Sequence, residues 1–168
     1  MQGVEKYGGS WYNLLMRRKD REVTDEAAVR EILAACRTCR VAMISDGMPY
    51  VVPLSYGWEL EDGVLTLHFH SAAEGRKIDA LAADGRVCFE ISREGELYSD
   101  APCNTGYRYS SVLGFGRAEF VTDPAEKCAS LSALMLHHTG RRTEFTPRQA
   151  DTVCVFRIIS SDFTAKRR

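Results

Sequence analysis

The sequence predicts a mainly β protein whose antiparallel strands close, fully or partly, into a barrel with flanking helices. Six segments have the character of strands, whereas only three have helical character. Their order, β-β-β-α-β-β-α-β, lacks the regular alternation that builds a doubly wound parallel sheet. The long strands carry glycines at which they can bend, as strands of a barrel do. At 168 residues, one domain over residues 16–168 is expected, preceded by an arm over residues 1–15.

The composition excludes several classes of protein. The chain is 45% hydrophobic and 27% charged, which is typical of a globular protein rather than a disordered one. With 22 basic and 23 acidic residues, it lacks the excess positive charge of proteins that bind nucleic acid or anionic membranes. It also lacks an apolar run of about 20 residues and a secretory signal pattern. We therefore expect a cytoplasmic protein with neither a nucleic acid nor a membrane partner.

The strands are predicted from alternating apolar residues and from the turns between them. The six candidates are Arg40–Ser45, Met48–Trp58, Val64–His70, Arg86–Ser92, Tyr107–Val121 and Val153–Ile159. Asp-Gly pairs at 46–47 and 62–63 are typical of two-residue hairpin turns, so the first three strands should form a meander. The polar segment 94–106 is predicted to be a long loop. Gly114 and Gly116 should mark a bulge or bend.

The helices are predicted from their capping residues. The first should begin at Thr24 or Asp25, either of which can cap it, and a short second helix is expected over residues 74–83. The third begins with Asp123 as cap and ends at Gly140. His137 and His138, near the end of this third helix, are predicted to lie on its surface.

The cysteines are interpreted as reduced, packed thiols rather than ligands or disulfides. They are Cys36, Cys39, Cys88, Cys103, Cys128 and Cys154. Cys36 and Cys39 have the spacing of a metal-binding pair, but the sequence offers no second such pair. An even number of cysteines indicates a disulfide framework in small secreted chains, a class to which this composition does not point. No metal site is predicted.

The strongest chemical signal lies between His70 and Lys77. A strand ends at the hydroxyl of Ser71, a turn of small residues follows, and Arg76 and Lys77 open a short helix. Backbone N–H groups at a helix start, a hydroxyl and two cations are the groups that bind phosphate. The alternative is a solvated helix start with surface cations. The glycine spacing fits neither a P-loop nor a dinucleotide-binding motif.

A resemblance to a known family rests on seven segments in a fixed order. They are Met16–Val23, Pro49–Leu54, Leu67–Ser71, Gly75–Lys77, Val87–Glu90, Tyr107–Val121 and Lys166–Arg168. In these segments the chain resembles the pyridoxamine 5′-phosphate oxidase-like flavin-binding split-barrel superfamily. Within that superfamily it is most similar to the nitroimidazole-resistance group. The segments span nearly the whole chain, which makes the resemblance specific.

The resemblance implies a six-stranded split barrel and a homodimer with FMN, or alternatively FAD, in the cleft between subunits. The cofactor-binding positions that it implies are Val52, Pro53, Leu54, His70, Ser71, Arg76, Lys77 and Ser111. Arg76 and Lys77 match the phosphate-binding pair, and residues 52–54 match the strand that runs along the isoalloxazine ring. Ser111 matches a cofactor contact on the long strand, where true pyridoxamine-phosphate oxidases carry glutamine.

The implied function is an FMN-dependent oxidoreductase that passes electrons from a reduced nicotinamide, or another small donor, to a small organic acceptor such as a nitroimidazole. His70 is the candidate catalytic residue, as a proton donor, or alternatively an anchor for the flavin. Two other classes stay open: a non-catalytic flavin-binding or redox-sensing protein, and a haem protein with His70 or His68 as axial ligand. Pyridoxamine-phosphate oxidation itself is not expected, because the Arg-Leu-x-Pro segment of the true oxidases is absent before Arg168.

Overall fold

The computed structural model describes residues 18–168, so the predicted arm over residues 1–15 lies outside the described residues. In the described part, eight antiparallel strands form one sheet, and four helices flank it. The strands are β1 Glu22–Val23, β2 Thr38–Ser45, β3 Met48–Ser55, β4 Gly57–Glu61, β5 Val64–Ser71, β6 Arg86–Ser99, β7 Thr105–Phe120 and β8 Cys154–Arg167. The helices are α1 Glu26–Ala35, α2 Arg76–Ala83, α3 Pro124–Thr139 and α4 Pro147–Ala150. None of these helices combines the length and apolarity needed to cross a bilayer.

The sheet curls around the larger of two hydrophobic clusters. Its strand order is β3-β2-β6-β7-β8-β5-β4, and β1 adds to β8. Alternate residues of the distant strands β2, β5, β6 and β8 converge, and Val41, Leu67, Phe89 and Ile158 are each completely or almost completely buried. α1 packs Ile32 and its neighbours onto the same core. The predicted class, a mainly β barrel with flanking helices, is confirmed, although eight strands replace the six expected.

The two Asp-Gly hairpins form as the sequence predicts. Asp46 and Gly47 have φ angles of 54° and 74°, and Asp62 and Gly63 have angles of 50° and 78°. Positive φ at both central residues defines the turn whose twist matches that of paired strands. The turns join β2 to β3 and β4 to β5.

The predicted meander is wrong, because the segment Met48–Trp58 divides at Tyr56. β3 and β4 then lie at opposite ends of the strand order. Tyr56 is fully buried, and its hydroxyl donates to the carbonyl of Leu33 at 2.8 Å. Gly57 lies so close to α3 that a Cβ atom there would be 2.5 Å from the backbone nitrogen of Leu134. Tertiary packing at this corner therefore ends one strand and starts another.

The predicted loop over residues 94–106 is largely a β-ribbon. β6 continues to Ser99 and β7 begins at Thr105, which leaves only residues 100–104 outside the strands. Leu97 pairs with Tyr107 across the ribbon, after a bulge between Glu94 and Leu97. A two-stranded ribbon with both faces in solvent needs few apolar residues, so its sequence resembles that of a loop.

β8 is twice as long as predicted, because its second half is polar. The hydroxyl of Ser160 donates to the carbonyl of Phe115 at 2.6 Å and accepts from the backbone N–H of Asp162 at 3.2 Å. These bonds lie beside an irregularity in the β7–β8 pairing between Phe115 and Arg117. The bulge predicted near Gly116 is thus confirmed. A Cβ atom at Gly116 would lie 2.7 Å from the carbonyl oxygen of Ile159.

The predicted helix starts are confirmed. The carboxylate of Asp25 accepts from the backbone N–H of Ala28 at the start of α1. That of Asp123 accepts from two N–H groups at the start of α3, which ends at Gly140 with φ 71°. α4, capped by Thr146, is a single turn that was not predicted.

Candidate functional site

Arg76, the first residue of α2, uses only part of its guanidinium group in contacts with the protein. Its Nε atom donates to the hydroxyl of Ser45 at 2.9 Å, and its guanidinium carbon lies 4.6 Å from the centre of the Tyr50 ring. These contacts fix the side chain against the hairpin of β2 and β3. The two terminal nitrogens of Arg76 make no hydrogen bond within residues 18–168, so the planar donor fork is available for an anion.

The start of α2 offers further donors. Gly75 precedes the helix with φ 129°, and in the described part of the chain no side chain caps the first turn. The N–H groups of Ile78 and Asp79 bond to the carbonyl of Gly75, whereas those of Arg76 and Lys77 lie ahead of the helical ladder. Free N–H groups at a helix start favour a bound anion.

Ser71 is the last residue of β5, and Lys77 follows it in the first turn of α2. Ser71 pairs with Cys154 of β8. Burial raises the pKa of the Cys154 thiol, while the charges of Lys127 and Lys77 partly offset the rise. The hydroxyl of Ser71 donates to the carbonyl of Ala72 at 2.7 Å and keeps its lone pairs for another donor. His70, one residue earlier, is exposed.

The segment Val52–Leu54 belongs to β3, which ends the strand order. One edge of its backbone is therefore unpaired within the described sheet. Pro53, which has no N–H group, is compatible with such an edge strand. Val52 and Leu54 turn toward the core, whereas Pro53 is exposed on the outer face. Tyr50, under the Arg76 guanidinium, lies two residues earlier on the same strand.

Ser111 lies apart from the other predicted site residues. It pairs with Ser92 of β6 and Lys166 of β8. Two strands separate β7 from β3, which amounts to about 14 Å at the usual strand spacing. One chain thus brings Arg76, Lys77, Ser71 and the edge of β3 to one end of the barrel and leaves Ser111 on a separate surface.

The outer face of the sheet between these two places is apolar. Val51, Ala42, Cys88 and Phe115 are consecutive neighbours across β3, β2, β6 and β7. Val51 and Phe115 are 54% and 43% exposed, and Ile44 beside them is 48% exposed. A continuous apolar row of this kind on a sheet face is typical of a surface that another element covers.

The prediction for His137 is wrong, because this residue joins α3 to the core. The indole N–H of Trp58 donates to Nδ1 of His137 at 3.2 Å, so Nε2 carries the proton and donates to the carbonyl of Cys36 at 2.9 Å. The ring also packs on Tyr56, with 4.7 Å between centroids. Burial, assisted by the charge of Arg37, lowers the pKa of His137 to about 4.

The other histidines divide between the interior and the barrel end. His68 is 7% exposed beneath α3, with Nδ1 3.1 Å from the hydroxyl of Ser130 and Nε2 3.6 Å from the carboxylate of Glu59. Burial lowers its pKa, against the opposing effect of Glu59. His138, predicted to be a surface residue, is half-buried, and among the described residues its Nε2 atom has no partner. Burial, assisted by the charge of Arg37, lowers its pKa.

Comparisons with known proteins fit this geometry. A sequence model of a family described as pyridoxamine 5′-phosphate oxidase matches residues 25–167. A candidate 5-nitroimidazole antibiotic resistance protein of Bacteroides thetaiotaomicron VPI-5482 is 29% identical, with a TM-score of 0.75 over 87% of this chain and 86% of that one. A FAD-binding protein of Mesorhizobium loti is 25% identical, with a TM-score of 0.62 over 88% and 97%. No curated protein matches.

A more distant structure shares the fold. The FAD and haem binding protein of Mycobacterium smegmatis is 19% identical, with a TM-score of 0.72 over 88% of this chain and 73% of that one. At this identity the comparison supports the architecture alone.

Proposed function

Because this chain belongs to the pyridoxamine 5′-phosphate oxidase family, we propose that it is a flavin-dependent oxidoreductase that binds FMN between two copies of itself. The observation that carries the proposal is the guanidinium group of Arg76, which Ser45 and Tyr50 hold in place while its terminal nitrogens have no partner among residues 18–168. Beside it lie Lys77 and the uncapped start of α2. These groups suit a phosphate monoester, which carries a charge of about −1.5 to −2 and three acceptor oxygens.

The unpaired edge of β3 suits the flavin ring. Backbone N–H and C=O groups on one side of Val52–Leu54 have no strand partner among the described residues. Such groups can form hydrogen bonds with the polar edge of an isoalloxazine ring. A bound flavin would supply the redox chemistry, taking two electrons from a reduced nicotinamide and passing them to a small acceptor. A nitroimidazole is the acceptor suggested by the 29% identical Bacteroides protein.

The homodimer is part of the proposal because one chain leaves the site incomplete. Ser111 lies about three strand spacings from β3, and the apolar row from Val51 to Phe115 lies between them. Pairing two such faces would bury the row and would bring Ser111 of one copy toward the β3 edge of the other. His70, exposed at the end of β5, would face the acceptor and donate a proton to it.

The test begins with the cofactor that co-purifies with the protein. We expect a yellow protein that releases FMN, identified by mass; released FAD would change the cofactor assignment, and a haem spectrum would contradict the proposal. Anaerobic addition of reduced nicotinamide should bleach the flavin, and a nitroimidazole should restore the colour. A flavin that stays yellow with every donor would make the protein a flavin carrier rather than an enzyme.

The phosphate site is tested by the double variant Arg76→Gln/Lys77→Gln. Each charge-assisted contact contributes about 1.5–3 kcal/mol, so FMN affinity should fall by tens-fold to thousands-fold. Arg148→Gln is the matched control, since this exposed arginine lies on α4 and is not among the predicted site residues. Unchanged FMN affinity in the double variant would show that the phosphate lies elsewhere.

A further inference from the structure

A second cationic site lies on the opposite face of the sheet from the apolar row. Arg93 of β6, Ser110 of β7 and Arg167 of β8 are direct neighbours across the three strands. They share the face that carries the buried Ile91 and Val112. Beside the C-terminal half of α1 this face opens into a cleft of about 350 Å³. The cleft lies outside the proposed flavin site and does not depend on it.

The bulge in β6 adds another cation to this row. Between Glu94 and Leu97, two residues of β6 face only Arg108 of β7. Arg108 is two residues from Ser110 and therefore lies on the same face of β7. A Cβ atom at Gly95 would lie 3.3 Å from Cβ of Arg108, so the glycine allows β6 and β7 to approach each other closely at the bulge. Bulges commonly redirect a side chain toward a site.

The charges lining the cleft are unbalanced. The charged side chains that line it are those of Arg93, Arg108, Arg167, Arg168, Glu31 and Glu94. Arg167 pairs with Glu31 at 3.1 Å, and Arg168 stacks 4.1 Å over the ring of Tyr98. Within residues 18–168, neither Arg93 nor Arg108 has an ion pair or a hydrogen bond from its side chain, and the hydroxyl of Ser110 is likewise unused. Like charges on neighbouring strand positions destabilise a sheet unless a counter-charge is present.

We infer that this cleft binds the phosphate group of a small molecule. A phosphate monoester offers three oxygens and about two negative charges, which matches the guanidinium groups of Arg93, Arg108 and Arg167 better than the two oxygens of a carboxylate do. Guanidinium forks bind such oxygens in pairs. The volume is at the lower end of ligand sites and suits a phosphate with a small organic group attached.

The test is calorimetric titration of the purified protein with two probes, inorganic phosphate and adenosine 5′-monophosphate. We expect both to bind, and Arg93→Gln and Arg108→Gln each to weaken the binding by about ten-fold or more. Tighter binding of the nucleotide would identify a nucleotide phosphate as the ligand, and equal binding would identify the phosphate group alone. Glu31→Gln should strengthen the binding, because it frees Arg167.

Two controls separate this cleft from the flavin site and from general charge. Arg148→Gln removes one exposed arginine on α4, outside the cleft, and should leave binding unchanged. The double variant Arg76→Gln/Lys77→Gln should also keep it. The inference is overturned if neither probe binds, if the cleft variants bind as the wild type does, or if binding is lost only in the Arg76/Lys77 variant.

Discussion

Histidine residues two positions apart on β5 have different environments because α3 covers only one of them. His68 lies under the helix beside Ser130, whereas His70 lies beyond its cover and is exposed. The alternation of a strand predicts that the two share a face, and they do. Only the position of α3 decides that His68 is a buried, neutral side chain and that His70 is free to meet a ligand.

We expect His70→Ala to retain the flavin and to lower the turnover of a nitroimidazole acceptor by about 10²–10⁴-fold, the usual contribution of a positioned proton donor. Flavin affinity should change by only about 1 kcal/mol, the value of one hydrogen bond. Stopped-flow reoxidation of the reduced protein separates these effects. The double variant His68→Ala/His70→Ala tests whether His68 takes over proton donation when His70 is absent. Full turnover in both variants would show that neither histidine takes part in the mechanism.

His137 should make stability depend on pH. Its pKa is lowered from 6.5 to about 4 in the folded protein, so the unfolded chain binds the proton more readily. Stability is therefore fully present above pH 6.5 and is lost as the pH falls toward 4. His137→Gln should flatten the fall of the melting temperature over this range, with His70→Gln, at an exposed position, as the control. Equal slopes in the two variants would contradict this assignment.

At the scale of elements, the corner at residues 56 and 57 explains the main error of the sequence analysis. Alternation and apolar content predict one strand through Met48–Trp58, and nothing local marks the break. The break is made by the buried hydroxyl of Tyr56 and by the contact of Gly57 with α3. By contrast, the Asp-Gly turns and the capped helix starts depend on neighbouring residues only, and they were predicted correctly.

Gly57→Ala tests this corner directly. The added methyl group would lie 2.5 Å from the backbone nitrogen of Leu134. The helical backbone of α3 cannot move to relieve this clash as the end of a flexible side chain can. We expect a loss of about 3 kcal/mol in the free energy of unfolding, at the upper end for overpacking. Gly47→Ala meets no atom within 4 Å but has φ +74°, so it should cost only about 1 kcal/mol through backbone strain. Denaturant unfolding of both variants gives the comparison, and equal losses would contradict the packing argument.

At the scale of the whole molecule, the exposed row from Val51 to Phe115 predicts how the proposed dimer responds to charge. Val51→Lys/Phe115→Lys should give a monomer in sedimentation velocity and should lose most of its FMN affinity, because buried lysines at the interface would have no partner. Leu136→Lys, a change at an equally exposed residue on α3, should keep both. FMN should also raise the melting temperature of the wild type. A wild-type monomer that still holds FMN would contradict the dimeric site.

The sequence by itself determined the mainly β class, the two hairpins, the helix starts and the grouping of Ser71, Arg76 and Lys77. These features depend on residues within a few positions of one another, whose turn, cap and charge preferences act locally. Only the tertiary structure decided that Met48–Trp58 divides, that His137 joins α3 to the core and that Ser111 is remote from Arg76. It also decided that Arg93, Arg108 and Arg167 meet in one cleft. Each of these depends on contacts between residues far apart in the chain, and the free energy of such contacts leaves no pattern in any short stretch of sequence.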